Sequence, residues 1–223
     1  MKCVSILSAV MLIFSCYQIS VCQIEIRHLK SKEDPAHCDI TIQYPYCSDP
    51  RAKTLNDKVL QFVRSQRRDF LRDAKSYYTD MDSDLIATRE FPYVSVQVKS
   101  AKIFGSLVSY CLEYAMCPSW GCHGTTEYTT YNFDLSHQRF LSPSDFILTP
   151  EYEVCKVVYG YVDSLLSDAW DDSILTPDSC KLNKLKVNIE EKDLVFNFSA
   201  YELGPGWHQV AIPRTKFSLK IPK

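Results

Sequence analysis

The chain carries almost no excess charge of either sign. Its 25 lysines and arginines stand against 27 aspartates and glutamates, a formal net charge of -2 at pH 7. There is no global basic field to hold nucleic acid, and there is no acidic tail. Repeats, low-complexity tracts and long linkers are missing. The 223 residues, 46% hydrophobic, suffice for one sizeable core or for two small subdomains sharing one. The apolar run Val4 to Phe14 is about 11 residues long, against roughly 20 needed to cross a bilayer. No G-x-S-x-G segment presents a serine nucleophile. No pair of carboxylates stands out as a glycosidase dyad.

What is present begins with an export signal. Lys2 precedes the run Val4 to Phe14, and Ser15 and Ser20 follow it. This reads as a secretory leader over residues 1–22, with cleavage between 15 and 22. A cut after Cys22 follows the small-x-small pattern Ser20-Val21-Cys22. Alternatively, Ile13-Phe14-Ser15-Cys16 loosely resembles a bacterial lipobox, which would lipidate Cys16 and give the only membrane attachment expected. The expected location is extracellular, or alternatively periplasmic or lipid-anchored at the surface.

Ten cysteines are present. In an oxidising compartment most become disulfides, and the candidates are Cys38, Cys47, Cys111, Cys117, Cys122, Cys155 and Cys180. Asp39 to Tyr46 reads as a strand, which sets Cys38 and Cys47 roughly 30 Å apart, too far to bridge. Cys117 and Cys122 flank a short turn-prone loop, Pro118-Ser119-Trp120-Gly121, and could staple it, with Cys111 as an alternative partner for either. Zinc knuckles use closer cysteine spacing than Cys111, Cys117, Cys122 and His123, so no metal or cofactor is expected. A free catalytic thiol beside one of the five histidines is not expected in a disulfide-rich exported chain. The expectation is a protein without enzymatic activity.

Alternation predicts strands at 24–29, 38–46, 93–99, 103–116, 125–135, 185–190, 194–200, 209–213 and 217–221. Thr54, with Asp57 as capping partner, opens a helix over about 54–73 that buries Leu55, Val59, Phe62, Val63 and Phe70. Arg64, Arg67, Arg68 and Arg72 form its solvated side. Thr149-Pro150 opens a second helix over about 151–169, whose buried face is read as Tyr152, Cys155, Val158, Tyr159, Val162, Leu165, Leu166 and Trp170. Helices so far apart do not predict parallel βαβ units. The expected class is α+β, with antiparallel sheets and two principal packed helices. Asp134 and Asp145 flank a turn and are expected to hydrogen-bond it. Asn197-Phe198-Ser199 is a glycosylation acceptor if the source is eukaryotic and Asn197 faces water; in a bacterium it carries no meaning.

The last two central strands enclose Tyr201-Glu202-Leu203-Gly204-Pro205-Gly206-Trp207. Gly204 and Gly206 permit unusual backbone angles, Pro205 stiffens the segment, and Tyr201 and Trp207 offer large contacts at little entropic cost. The loop is predicted to be a binding surface, assisted by Trp120 and His123.

Three segments carry a resemblance. Ile42-Gln43-Tyr44-Pro45 precedes a helix beginning Leu55-Asn56. Gly121-Cys122-His123-Gly124 is followed by Tyr131-Asn132-Phe133-Asp134-Leu135, Leu141 and Asp145-Phe146. Phe198 to Gly206 is followed by Val210-Ala211-Ile212-Pro213. In this order they resemble the extracytoplasmic regions of RsiV-type anti-sigma factors, which join a PdaC/SigV-type domain, here 23–100, to an RsiV-type domain, here 101–223. The resemblance implies an antiparallel α+β fold, no catalysis and an extracellular protein partner, lysozyme being the one known for the family. Three features depart from it. No transmembrane helix or sigma-binding segment is present, the turn glycine expected after Asp134 is missing from Ser136-His137-Gln138-Arg139, and cysteines are abundant. The functional reading is a secreted or surface-anchored, disulfide-stabilised binding protein. The alternative is a cell-wall or carbohydrate-binding module or a carbohydrate-active enzyme.

Overall fold

The computed structural model describes residues 22–30, 38–79, 92–117, 124–166, 180–199 and 208–221. Strands β1 (Ile24–His28), β2 (Asp39–Cys47), β3 (Tyr93–Phe104), β4 (Leu107–Cys117), β5 (Thr125–Asp134) and β6 (Arg139–Phe140) form one sheet in chain order. Strands β7 (Lys186–Ile189), β8 (Asp193–Phe198) and β9 (His208–Pro213) form a second. The helices are α1 (Lys53–Thr79), the single-turn α2 (Pro143–Phe146) and α3 (Glu151–Leu166).

The class is α+β, and the large sheet is mixed. β1–β2, β3–β4, β4–β5 and β5–β6 pair antiparallel, whereas β2 and β3 pair parallel from Asp39↔Tyr93 to Ile42↔Val96. This corrects the expectation that no parallel βαβ unit forms. A parallel pair needs a crossover of a dozen residues or more, and α1, lying between β2 and β3, supplies one.

α1 lays Leu55, Val59, Val63 and Phe70, all fully buried, on one face of this sheet. Each such side chain contributes about 1.5–3 kcal/mol. The ion pairs of the other face, Arg72 with Asp69 and Asp73 among them, are exposed and contribute little beside this apolar burial. Phe62 is half-buried and meets the Tyr131 ring edge-on at 6.4 Å. The helix starts earlier than its expected cap. Asp49 caps a 3-10 turn, Pro50–Ala52, by accepting the Arg51 N–H at 2.8 Å, and Thr54 already lies inside the helix.

β4 explains how the halves join. Val108, Tyr110 and Leu112 face the α1 core, and Leu107 faces the second core. The strand is buried on both sides because the second sheet covers what α1 does not. The second core packs Val154, Val158 and Val162 of α3 against Leu194, Phe196, Val210 and Ile212. This face is narrower than the sequence reading. Tyr152 and Leu165 are 55% and 64% exposed, whereas Val154, Cys155, Val158 and Val162 are buried. Thr149 does not cap α3. Its hydroxyl accepts the Ser218 N–H at 2.8 Å and ties down the C-terminal segment. That segment is not a strand over 217–221, but makes one antiparallel bridge, Leu219 to Ile147. Residue 100 falls within β3, so the large sheet spans the division expected there.

Candidate binding cleft and the residues around it

An open cleft of about 600 Å³ lies between the β3–β4 turn, the β5–β6 turn and the C-terminal segment. The two-residue β3–β4 turn uses Gly105 at φ 60°, a left-handed angle that glycine adopts without steric cost. Across from it, Asp134 closes the β5–β6 turn. Its Oδ1 accepts the Ser136 and His137 N–H groups at 2.8 and 3.3 Å, and its Oδ2 lies 2.7 Å from His137 Nδ1. Burial would raise the Asp134 carboxyl, but the bonds from the His137 ring and the two amides outweigh it and hold the carboxyl below its ordinary range. Gln138, in the turn that follows Asp134, sits at φ 50°.

On the opposite wall, Asp145 caps α2. It accepts the Ser142 N–H at 2.8 Å and the Ser142 hydroxyl at 2.6 Å, and Arg139 Nη1 reaches it at 3.0 Å. The Ser142 hydroxyl is the leading cause of its lowered pKa, with Arg139 assisting. Asp134 and Asp145 therefore hydrogen-bond the turns beside them, as expected. Both stay ionised at neutral pH, so neither is a proton donor. Ser106 is near Asp134 (3.5 Å), on the carboxylate rather than on the histidine, so this is not a serine–histidine–aspartate relay. His137, Arg139 and Lys220 give the cleft a donor-rich lining, which suits a polar or acidic group of a partner. Lys220 is placed there by its backbone, whose N–H bonds the Phe146 carbonyl at 2.8 Å. Nothing in the sequence pattern signals that approach.

The motif residues between the sheets serve the fold. Asn132 Nδ2 donates to the Val187 carbonyl at 2.8 Å, and its Oδ1 accepts the Ser109 hydroxyl at 2.8 Å. Ser109 Oγ in turn accepts the Ile189 N–H at 2.9 Å. Phe133 is fully buried in the α1 core. Asn197 is 3% exposed, and its amide nitrogen donates to Lys186 O, Asn188 Oδ1 and Val195 O. The condition for a glycan at Asn197 is not met in the fold. Ser109 could have been noticed as a polar position within an apolar strand.

The cysteines divide. Cys155 and Cys180 form a disulfide that ties α3 to the approach to β7. Cys117 is also disulfide-bonded, to a partner outside the described residues. Cys111 is a buried thiol that bonds Asn197 Oδ1 at 3.4 Å, which corrects its expected disulfide. It lies on the same strand as Cys117, about 20 Å away at six residue steps. Burial pushes its thiol up to about 12. Cys38 lies half-buried just before β2, and the Cys47 sulfur faces Cys22 instead of Cys38. Among the described residues, no three histidine, cysteine, aspartate or glutamate side chains converge as a metal site, and no helix is long and apolar enough to cross a membrane.

The expected contact residues Trp120, His123 and Tyr201 to Trp207, and the disulfide candidate Cys122, lie outside the described residues. The strands that carry the loop are described: β8 and β9 pair antiparallel up to Phe198↔His208.

No family model matches the chain, and no curated protein does. Solved structures do match in shape. A DUF3298 family member from Bacteroides fragilis aligns with a TM-score of 0.55 at 16% identity, over 87% of this chain and 91% of its own. A DUF3298 family protein from Pseudomonas aeruginosa aligns with a TM-score of 0.51 at 16% identity, over 89% of this chain and 93% of its own. The fold of this chain is similar to that of the DUF3298 proteins, a fold related to the PdaC/SigV-type domain.

Proposed function

We propose that the chain is an exported, non-catalytic module that binds an extracellular protein through the tip of the β8–β9 hairpin. The observation that carries this reading is how the hairpin is held. Leu194, Phe196, Val210 and Ile212 are buried in the second core, and Gln209 Nε2 donates to Asn197 Oδ1 at 2.6 Å across the pair. Both ends of the segment Tyr201 to Trp207 thus start from a fixed strand pair. Pro205 restricts the backbone freedom that this stretch of sequence has to lose on docking. The Cys155–Cys180 bond supports an oxidising compartment. The RsiV-type resemblance supports lysozyme as the first partner to test. The commitment of Asp134 and Asp145 to turn hydrogen bonds favours binding over carbohydrate hydrolysis.

The test is surface plasmon resonance of the purified secreted chain on immobilised lysozyme, with Tyr201→Ala and Trp207→Ala alongside. Saturable binding, weakened at least about 30-fold by either variant with its melting temperature unchanged, is the expected result; that is the loss typical of an aromatic hot spot. Unaltered affinity in both variants overturns the assignment of the hairpin tip. Absence of lysozyme binding overturns lysozyme as the partner. Retention on peptidoglycan sacculi in its place would identify a cell-wall module.

A further inference from the structure

The sulfurs of Cys22 and Cys47 stand 3.0 Å apart, about 1 Å beyond a covalent bond of about 2.05 Å. The backbone on both sides fixes this approach. β1 and β2 pair with Ile24 opposite Cys47. Just beyond, the Ser48 N–H donates to the Gln23 carbonyl at 2.9 Å, and the Gln23 N–H donates to the Ser48 hydroxyl at 3.0 Å. Asn56 holds Cys47 from the other side through both of its backbone groups. These bonds hold Gln23, the neighbour of Cys22, beside Ser48, the neighbour of Cys47.

We propose that Cys22 and Cys47 are joined by a disulfide in the mature protein, and that any leader is therefore cut on the N-terminal side of Cys22. The step needs a two-electron acceptor of the disulfide class, either an oxidised dithiol protein or oxidised glutathione. One cysteine thiolate attacks the acceptor disulfide, expels one acceptor thiol and forms a mixed disulfide. The other thiolate then attacks the protein sulfur of that mixed bond and expels the second thiol. Each protein thiol loses one proton and one electron, and the acceptor is reduced to two thiols.

The environment orders these events. Cys47 is 1% exposed. Burial, then the hydrogen bond with Cys22, push its thiol up to about 12, so a folded dithiol is a poor nucleophile at Cys47. The bond closes as β1 docks on β2, before Cys47 is sealed against Ala52 and Tyr110 of the core. Burial then shields it from reductants. A cut after Cys22 would remove one partner of the pair.

The test is a non-reducing peptide map of the full chain, secreted with its own leader and alkylated under denaturing conditions. The expected result is a Cys22–Cys47 cross-linked peptide that separates on reduction, with an N-terminus at or upstream of Cys22. Alkylation of both cysteines before reduction, a bond from Cys47 to another cysteine, or an N-terminus at Gln23 overturns the proposal. Cys22→Ser should expose one new alkylatable thiol, at Cys47, and lower the melting temperature by several degrees while leaving Cys155–Cys180 intact. An unchanged thiol count in that variant also overturns it. If the variant is not secreted, the map of the unmodified chain decides.

Discussion

Asn56 satisfies both backbone groups of Cys47. Its amide nitrogen donates to the Cys47 carbonyl at 2.8 Å, and its amide oxygen accepts the Cys47 N–H at 3.0 Å. One side chain of α1 thus closes the end of β2. Asn56→Ala should destabilise the fold by about 2 kcal/mol, since it leaves a part-buried donor and acceptor unpaired. A lower denaturant midpoint with an unchanged slope would establish this. A midpoint equal to the parent would show that the clip contributes nothing.

Gln138 occupies a left-handed backbone angle, φ 50°, which costs a residue bearing a Cβ about 1–2 kcal/mol relative to glycine. The Asp134 hydrogen bonds hold the turn closed over it. Gln138→Gly should therefore raise stability by about 0.5–1 kcal/mol, part of the relief being offset by the greater freedom of glycine in the unfolded chain. Gln138→Ala should give no such gain. Chemical denaturation of the two variants side by side separates backbone strain from loss of the side chain.

Acid should unfold the protein through three carboxylates. The Arg51 side chain lowers the pKa of Asp49, and the Ser142 hydroxyl lowers that of Asp145. For Asp134, burial opposes the shift, but the His137 ring and the turn amides prevail. A carboxyl whose folded pKa is depressed contributes stability above its unfolded pKa and loses it as pH falls through the folded value. Stability should therefore be level above about pH 5 and decline from about pH 4 downward. Asp134→Asn should be less stable at neutral pH and show a shallower acid limb. A variant as steep as the parent in a pH series of melts would remove Asp134 from this account.

Much of the fold was legible in the sequence, and what was missed has local causes. The β8–β9 hairpin showed because Leu194 and Phe196 alternate with half-buried neighbours. The β3–β4 hairpin was blurred because the register shifts between Val98 and Ser100, a bulge that breaks the alternation where the strand was read as ending. The parallel β2–β3 pair was missed because apolar alternation carries no direction, and Val94 and Val96 would look the same beside an antiparallel neighbour. The face of α3 was read too wide, since periodicity marks apolar residues and not the width of the sheet that covers them. The sequence marks Asp134 and Asp145 as turn residues but not the cleft that they line. Lys220 reaches it only through the docking of the C-terminal segment. The approach of Cys22 to Cys47 depends on the register of β1 on β2, which spacing alone does not encode.

The parallel pairing of β2 with β3 also bears on the order in which the chain can mature. Synthesis delivers β1, β2 and α1 first, and β1 can pair with β2 at once. The other edge of β2, Asp39 to Ile42, waits for Tyr93 to Val96. Until those residues emerge, a nascent chain presents an open strand edge beside the still uncovered apolar face of α1, a combination that invites pairing between neighbouring chains. Fragments ending before Tyr93 should therefore aggregate, and a ribosome pause after α1 would be the most hazardous point in making this protein.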